Sequence, residues 1–295
     1  MKKTLFTGSG VAIVTPFTTD NKPDFEKFEE LVCYHIENKT DAIIVCGTTG
    51  EAPTLNDTEH LQIVKKAVEA SKGRIPIIAG TGSNDTEHAV MMTREVEKMG
   101  VDGVLLVTPY YNKTTQRGLV AHYNKIASSS DLPCILYHIP SRTGVSMEVD
   151  TVKRLWENEN IVAIKEASGS LSYASRIAAE IPEMAIYSGN DDIIVPLMSI
   201  GAKGVISVVA NILPEDTHDL CELCLKGNFE EAKALQLKML EFINALFCEV
   251  NPIPIKEAMN IMGMNVGDVR LPLYKMEEKN IEKLKKAMIG YGMKF

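Results

Sequence analysis

Eight short segments of this chain are apolar along nearly their whole length, and each precedes a stretch with the spacing of an amphipathic helix. They are Gly10–Val14, Ala42–Cys46, Ile75–Ala79, Gly103–Val107, Pro133–Tyr137, Ile161–Lys165, Met184–Ser188 and Gly204–Val208. Phe25, Phe28, Leu31, Val32 and Ile36 recur at helical intervals within 24–38. Further helices are expected over 57–71, 86–99, 116–129, 149–156, 171–180, 191–199 and around 219–226. A strand facing water on one side alternates polar and apolar residues, whereas a strand covered on both faces does not. Eight such strands alternating with helices therefore imply a parallel sheet wrapped by helices, the α/β class. Their crowding into about 210 residues fits a closed (β/α)8 (TIM) barrel better than an open doubly wound sheet. After the eighth unit the strands stop. Helices over 230–246, 254–262 and 280–291 suggest a C-terminal helical appendage, dividing the chain into a barrel over 1–227 and a helical part over 228–295.

Composition narrows what such a barrel does. The 295 residues carry a net charge of −8 and no compensating basic stretch, which argues against nucleic acid as a partner. No apolar run approaches the length of a membrane span, and the N-terminal residues lack a signal-peptide core, so a cytoplasmic protein is expected. Six cysteines without an export signal do not make a disulfide framework. Cys221 and Cys224 have the spacing of half a zinc site, but no second pair accompanies them; buried thiols on a helix are the simpler reading. The histidines show no ligand spacing, so no catalytic metal is expected.

In a barrel of this kind chemistry gathers at the carboxyl ends of the strands. The sixth segment ends on Lys165 and continues Glu166-Ala167-Ser168. Burying an ammonium is costly unless it is paired or loses its proton, and a lysine pressed toward neutrality is a nucleophile able to form a Schiff base with a ketone. The plainer alternative is a lysine that marks the strand end and points into water. The fifth segment ends on Tyr137 and leads to His138-Ile139-Pro140-Ser141-Arg142-Thr143-Gly144, a tight loop suited to holding a guanidinium that grips a carboxylate. Gly47-Thr48-Thr49-Gly50-Glu51 follows the second segment. It offers backbone N–H groups and two hydroxyls as a carboxylate cradle, or is an ordinary βα turn. It lacks the Gly-Lys-Ser/Thr of a phosphate loop. The remaining ends bring Tyr110-Tyr111, Gly189-Asn190-Asp191 and Ile206-Ser207.

With these stretches, together with Pro109-Tyr110-Tyr111-Asn112 and Asn251-Pro252-Ile253-Pro254-Ile255-Lys256, the chain resembles the pyruvate-dependent class I aldolases of the N-acetylneuraminate lyase superfamily, and among them the dihydrodipicolinate synthase family. The resemblance spans essentially the whole chain. It implies a Schiff base between Lys165 and pyruvate, with no other cofactor, and condensation with L-aspartate-4-semialdehyde. Thr48 and Thr49 would hold the pyruvate carboxylate, Tyr137 would shuttle protons through Thr49 to Tyr111, and Arg142 would bind the second substrate's carboxylate. Gly189 and Ile206 match pocket-lining positions. The resemblance also implies a homotetramer, a dimer of dimers in which Tyr111 reaches a neighbour's site. Ala52, Pro53, Asp57, His60, Asn84, His88 and Tyr110 match a feedback site for lysine. That match is degenerate, since a serine, a histidine and a glutamate are expected where Ala52, Asp57 and His88 stand. The rival enzymatic reading is a sialic acid or 2-keto-3-deoxy-sugar aldolase, against which Arg142 speaks. A more distant rival is a non-catalytic barrel that binds a keto acid; it would need no nucleophile.

Overall fold

A computed structural model describes residues 2–295, and in it the eight apolar segments close into one parallel barrel in chain order. The strands are β1 Gly8–Ala12, β2 Ala42–Val45, β3 Ile77–Gly80, β4 Gly103–Val107, β5 Cys134–His138, β6 Ile161–Glu166, β7 Ala185–Ser188 and β8 Gly204–Ser207. The helices from the first half are α1 Phe25–Glu37, α2 Asp57–Ser71, α3 Thr86–Glu97, α4 Gln116–Ala127, α5 Pro140–Thr143 and α6 Val149–Trp156. Those that follow are α7 Leu171–Glu180, α8 Ile194–Ser199, α9 Pro214–Leu225, α10 Phe229–Leu246, α11 Ile253–Ile261 and α12 Glu278–Tyr291. As the pattern implied, no strand follows β8 among the described residues.

Two apolar layers hold the barrel together. Side chains alternate along each strand, so Ile135 and Tyr137 of β5 point into the barrel with Ile44, Leu105 and Ile206, while Cys134 and Leu136 face the helices. Tyr187 stacks on Phe6 at 4.3 Å between ring centroids and donates its hydroxyl proton to the Phe6 carbonyl. The helices begin on side chains that satisfy their free N–H groups, as where Asn56 and Glu59 form a capping box on α2.

Two strands sit about two residues from where the apolar runs put them. β1 starts at Gly8 and ends at Ala12, because the Val14 N–H is taken by the Asn211 side chain rather than by a strand. Its first residue crosses β8 so closely that a Cβ on Gly204 would lie 1.9 Å from the Gly8 carbonyl oxygen, a contact only glycine permits. β3 begins at Ile77, since Pro76 has no N–H to give the ladder. The segment carrying Arg142 is a short helix, α5, where the sequence suggested a loop. Pro140 starts it and Gly144, at φ +66°, ends it.

Candidate active site

The lysine and tyrosine meet because of an irregularity in the sheet. β5 and β6 pair Cys134 with Ile161 but Ile135 with Ala163, so Val162 is an extra residue on β6. Without this bulge Tyr137 would lie opposite Ile164, whose side chain faces the helices. With it, Tyr137 lies opposite Lys165, and both side chains point inward. Lys165 is buried, with its Nζ 4.3 Å from the centre of the Tyr137 ring. Among the described residues that amine has neither a hydrogen-bond acceptor nor an ion-pair partner. The next residue on each strand points outward, and there His138 Nδ1 and Glu166 Oε2 lie 2.7 Å apart, fully buried. Glu166 also accepts from Ser168 N, and His138 packs on the Tyr173 ring. This pair fastens β5 to β6 immediately behind the lysine and tyrosine.

Thr48, Thr49, Tyr137, Arg142, Lys165 and Gly189 surround one cavity of about 220 Å3. The turn that supplies the threonines is strained and firmly held. Glu51 sits in the left-handed region at φ +55°, and its buried carboxylate receives Lys256 Nζ at 2.9 Å and Arg270 N at 2.9 Å. Lys256 also donates to the carbonyls of Thr15 and Asp268, and its Nζ lies 4.3 Å from the centre of the Phe17 ring. Burial lowers the Lys256 pKa, and the adjacent Glu51 charge opposes that shift. Arg270 in turn grips Glu59 with two hydrogen bonds of 2.7 Å. Asn251 borders the cavity, donates from Nδ2 to Thr49 Oγ1 at 3.0 Å, and accepts the Arg142 guanidinium on its carbonyl at 3.1 Å. Sequence reasoning marked 251–256 as a motif without giving Asn251 or Lys256 a role.

Not every expected residue joins this cavity. Tyr111 is 90% exposed, at φ +68°. Ile206 is buried in the barrel interior, and Val208 borders the cavity on that side. Ala52, Pro53, Asp57, His60, His88 and Tyr110 border a second cavity of about 370 Å3. It adjoins the first, sharing Thr48, Tyr137 and Arg142 with it. Asn84 lies outside it, its carbonyl accepting from Asn112. His88 Nε2 and Asp57 Oδ1 are 3.0 Å apart, and His60 Nε2 bonds the Gly80 carbonyl at 2.9 Å. Burial lowers the His60 pKa to about 4. Cys221 and Cys224 are buried thiols on α9, and burial pushes the Cys224 thiol up to about 11. Among the described residues no helix is long and apolar enough to cross a membrane, and no three metal-binding side chains cluster.

Fold and site together define a (β/α)8 barrel with an amine, a phenol, two hydroxyls and a guanidinium gathered at the carboxyl ends of its strands, the arrangement of a Schiff-base lyase. Residues 5–289 match the model of the dihydrodipicolinate synthetase family, and the chain belongs to that family. It is 55% identical over 289 residues to the 4-hydroxy-tetrahydrodipicolinate synthase of Caldicellulosiruptor bescii, covering 98% of each chain. The dihydrodipicolinate synthase structure from Aquifex aeolicus superposes with a TM-score of 0.95 at 43% identity, covering 97% of this chain and 98% of that one. A chloride-inhibited dihydrodipicolinate synthase from Acinetobacter baumannii, complexed with pyruvate, gives 0.95 at 45% identity, covering 97% of this chain and 99% of that one.

Proposed function

We propose that this chain is a lyase that condenses pyruvate with L-aspartate-4-semialdehyde, the 4-hydroxy-tetrahydrodipicolinate synthase reaction of the diaminopimelate route to lysine. One observation carries the chemistry: a buried amine without an acceptor stands against a tyrosine, inside a cavity with hydroxyls on one side and a guanidinium on the other. In this reading Lys165 adds through its lone pair to the pyruvate carbonyl carbon, and water leaves to give an iminium. The iminium withdraws electrons from the methyl group, which loses a proton and becomes an enamine. Tyr137 carries that proton, relayed by the Thr49 hydroxyl. The enamine carbon attacks the aldehyde of the second substrate, whose carboxylate pairs with Arg142. The substrate amine then attacks the iminium carbon, closes the ring and releases Lys165. No cofactor beyond this covalent bond is needed.

The exposure of Tyr111 supports a further part of the reading: a tetramer, built as a dimer of dimers, in which each Tyr111 enters a neighbour's site. A cytoplasmic setting fits such a metabolic enzyme. The test is a coupled assay supplied with pyruvate and aspartate semialdehyde, run beside N-acetylneuraminate and 2-keto-3-deoxygluconate. Turnover of the first pair alone is expected. Cleavage of either sugar acid at a comparable kcat/KM would overturn the assignment in favour of a sugar aldolase.

A further inference from the structure

Nothing in the apolar run of β6 decides which way Lys165 points. Ile161 and Ile164 sit in the layer that faces the helices, whereas Val162 and Ala163, though consecutive, both lie in the barrel interior. That doubled inward step is the bulge, and it leaves Lys165 inward and Glu166 outward. In a regular strand Ile164 would face the interior, Lys165 the helices and Glu166 the interior again. Register is set by a contrast between two faces, and four apolar residues buried on both sides supply none. The choice falls to the two ionisable residues that close the strand. In the bulged register Glu166 Oε2 lies 2.7 Å from His138 Nδ1, and the two side chains are 2% and 1% exposed. Glu166 Oε1 accepts from Ser168 N at 2.7 Å, His138 Nε2 lies 3.3 Å from Ser146 Oγ, and the Tyr173 ring covers the imidazole at 4.6 Å between centroids. In the regular register Lys165 would stand opposite His138 among the helices, and Glu166 would enter the barrel without its partner.

We propose that His138 is a positioning residue for the nucleophile: by pairing with Glu166 behind the barrel wall it selects the bulged register of β6, and so turns the Lys165 amine into the cavity. The backbone then locks what the pair selects. Ala167 N donates to the His138 carbonyl at 2.9 Å and Gly189 N to the Glu166 carbonyl at 2.7 Å, so β5 and β7 both grip β6 at the level of the pair. On the other side β7 follows the same phase, with Ala185 opposite Ala163 and Tyr187 opposite Lys165, all directed inward. His138 and Glu166 border neither cavity, so the pair touches no substrate and acts only through the direction of its neighbour. This inference deepens the proposed function and rests on Lys165 being the reactive amine.

Two probes read the direction of Lys165. Trapping by pyruvate and borohydride, with pyruvate held below its KM, reads an amine that reacts as the proposed function requires. Acetylation by acetic anhydride in the absence of pyruvate, mapped by peptide mass spectrometry, reads only whether that amine reaches the cavity. His138→Leu removes the partner, and both rates at Lys165 are expected to fall about tenfold or more, the bias that one hydrogen bond to a charged group supplies. His138→Asn presents an amide N–H where the imidazole has Nδ1, and both rates should stay within about threefold of wild type. A pair that only stabilised the fold would lower Tm in the leucine variant and leave both rates unchanged well below that Tm. If the stranded Glu166 carboxylate keeps His138→Leu from folding, Glu166→Leu removes the pair without leaving a charge behind, and the same fall is expected. Wild-type rates in either folded leucine variant, or an asparagine variant as slow as the leucine one, would overturn the positioning role. A wild type that forms no pyruvate adduct, while acetylation of its Lys165 still falls with His138→Leu, would sink the proposed function and leave this inference standing.

Discussion

Lys256→Met removes the cation from the buried pair beneath the threonine turn. The side chains of Lys256 and Glu51 are 2% and 0% exposed, and Lys256 Nζ satisfies the carboxylate and two carbonyls at 2.7–3.1 Å. Methionine fills similar volume against Phe17 but leaves the Glu51 charge with only the Arg270 N–H. Removing one member of such a pair costs about 3–5 kcal/mol, most of it the penalty of an uncompensated buried charge. For a chain of this size each kcal/mol lowers Tm by about 2–4 °C, so a fall of about 6–20 °C is expected. Adding Glu51→Gln to Lys256→Met removes the stranded charge and should restore about half of the lost stability. Because Glu51 shares its turn with Thr48 and Thr49, the pyruvate KM should rise in the single variant even well below its Tm. Urea titration and thermal melts of the two singles and the double measure this. A loss below about 1 kcal/mol, the worth of an exposed pair, or strictly additive losses in the double, would refute the argument that this pair holds the turn.

The other expectations concern the amine, the interface, the second cavity and pH. Pyruvate and borohydride should leave a stable adduct on Lys165, and Lys165→Ala should lose nearly all turnover with its fold intact; peptide mapping that finds the adduct on Lys203 or Lys256 would rule this out. If Tyr111 serves a neighbour's site, inactive Tyr111→Phe and Lys165→Ala subunits should regain part of the activity after mixing, and verified exchange without recovery would place Tyr111 outside any shared site. L-lysine should inhibit weakly: His88 stands where an acceptor for its ammonium is expected, and the nearby Asp57 carboxylate is already engaged by that histidine. Losing a charge-assisted partner costs about 1.5–3 kcal/mol, and half-inhibition below about 1 mM would contradict the expectation. Burial lowers the pKa of His35 to about 3 and of His60 to about 4, so both stay neutral in the folded chain while the unfolded chain protonates them below 6.5. Folding stability should therefore fall as pH drops from 6.5 toward 4, each histidine contributing about 1.4 kcal/mol per pH unit. A slope unchanged by His35→Gln would show that His35 contributes none of it.

The barrel was legible because a strand covered on both faces writes its burial into consecutive residues, as Ala42–Val45 and Gly103–Val107 do. Lys165 stood out for the same reason, as a charge closing an apolar run. Other features leave no local trace. The extra residue at Val162, which turns Lys165 toward Tyr137, is a relation between two strands, and neither sequence shows it alone. α5 has four residues, too few to display a helical period. The contacts from Asn251 to Thr49 and from Lys256 to Glu51 span 202 and 205 positions, so only the closed barrel and its trailing helices bring them together.

Lys165 and Lys256 also show why burial alone does not identify a nucleophile. Both amines are almost completely enclosed. The three N–H bonds of Lys256 have three acceptors, one of them a carboxylate, so loss of its proton would strand the Glu51 charge in an apolar wall. Its lone pair is not available to a ketone without dismantling that network. Lys165 faces an aromatic ring and an open cavity, and no acceptor among the described residues competes for its protons. Giving up a proton there breaks no ion pair. The distinction follows from the chain's topology: Lys256 projects from α11 toward the acidic end of the threonine turn, whereas Lys165 projects from β6 into the space between the threonines and Arg142. The nucleophile proposed here thus stands apart from Lys256 because its amine borders a cavity and no carboxylate is hydrogen-bonded to it.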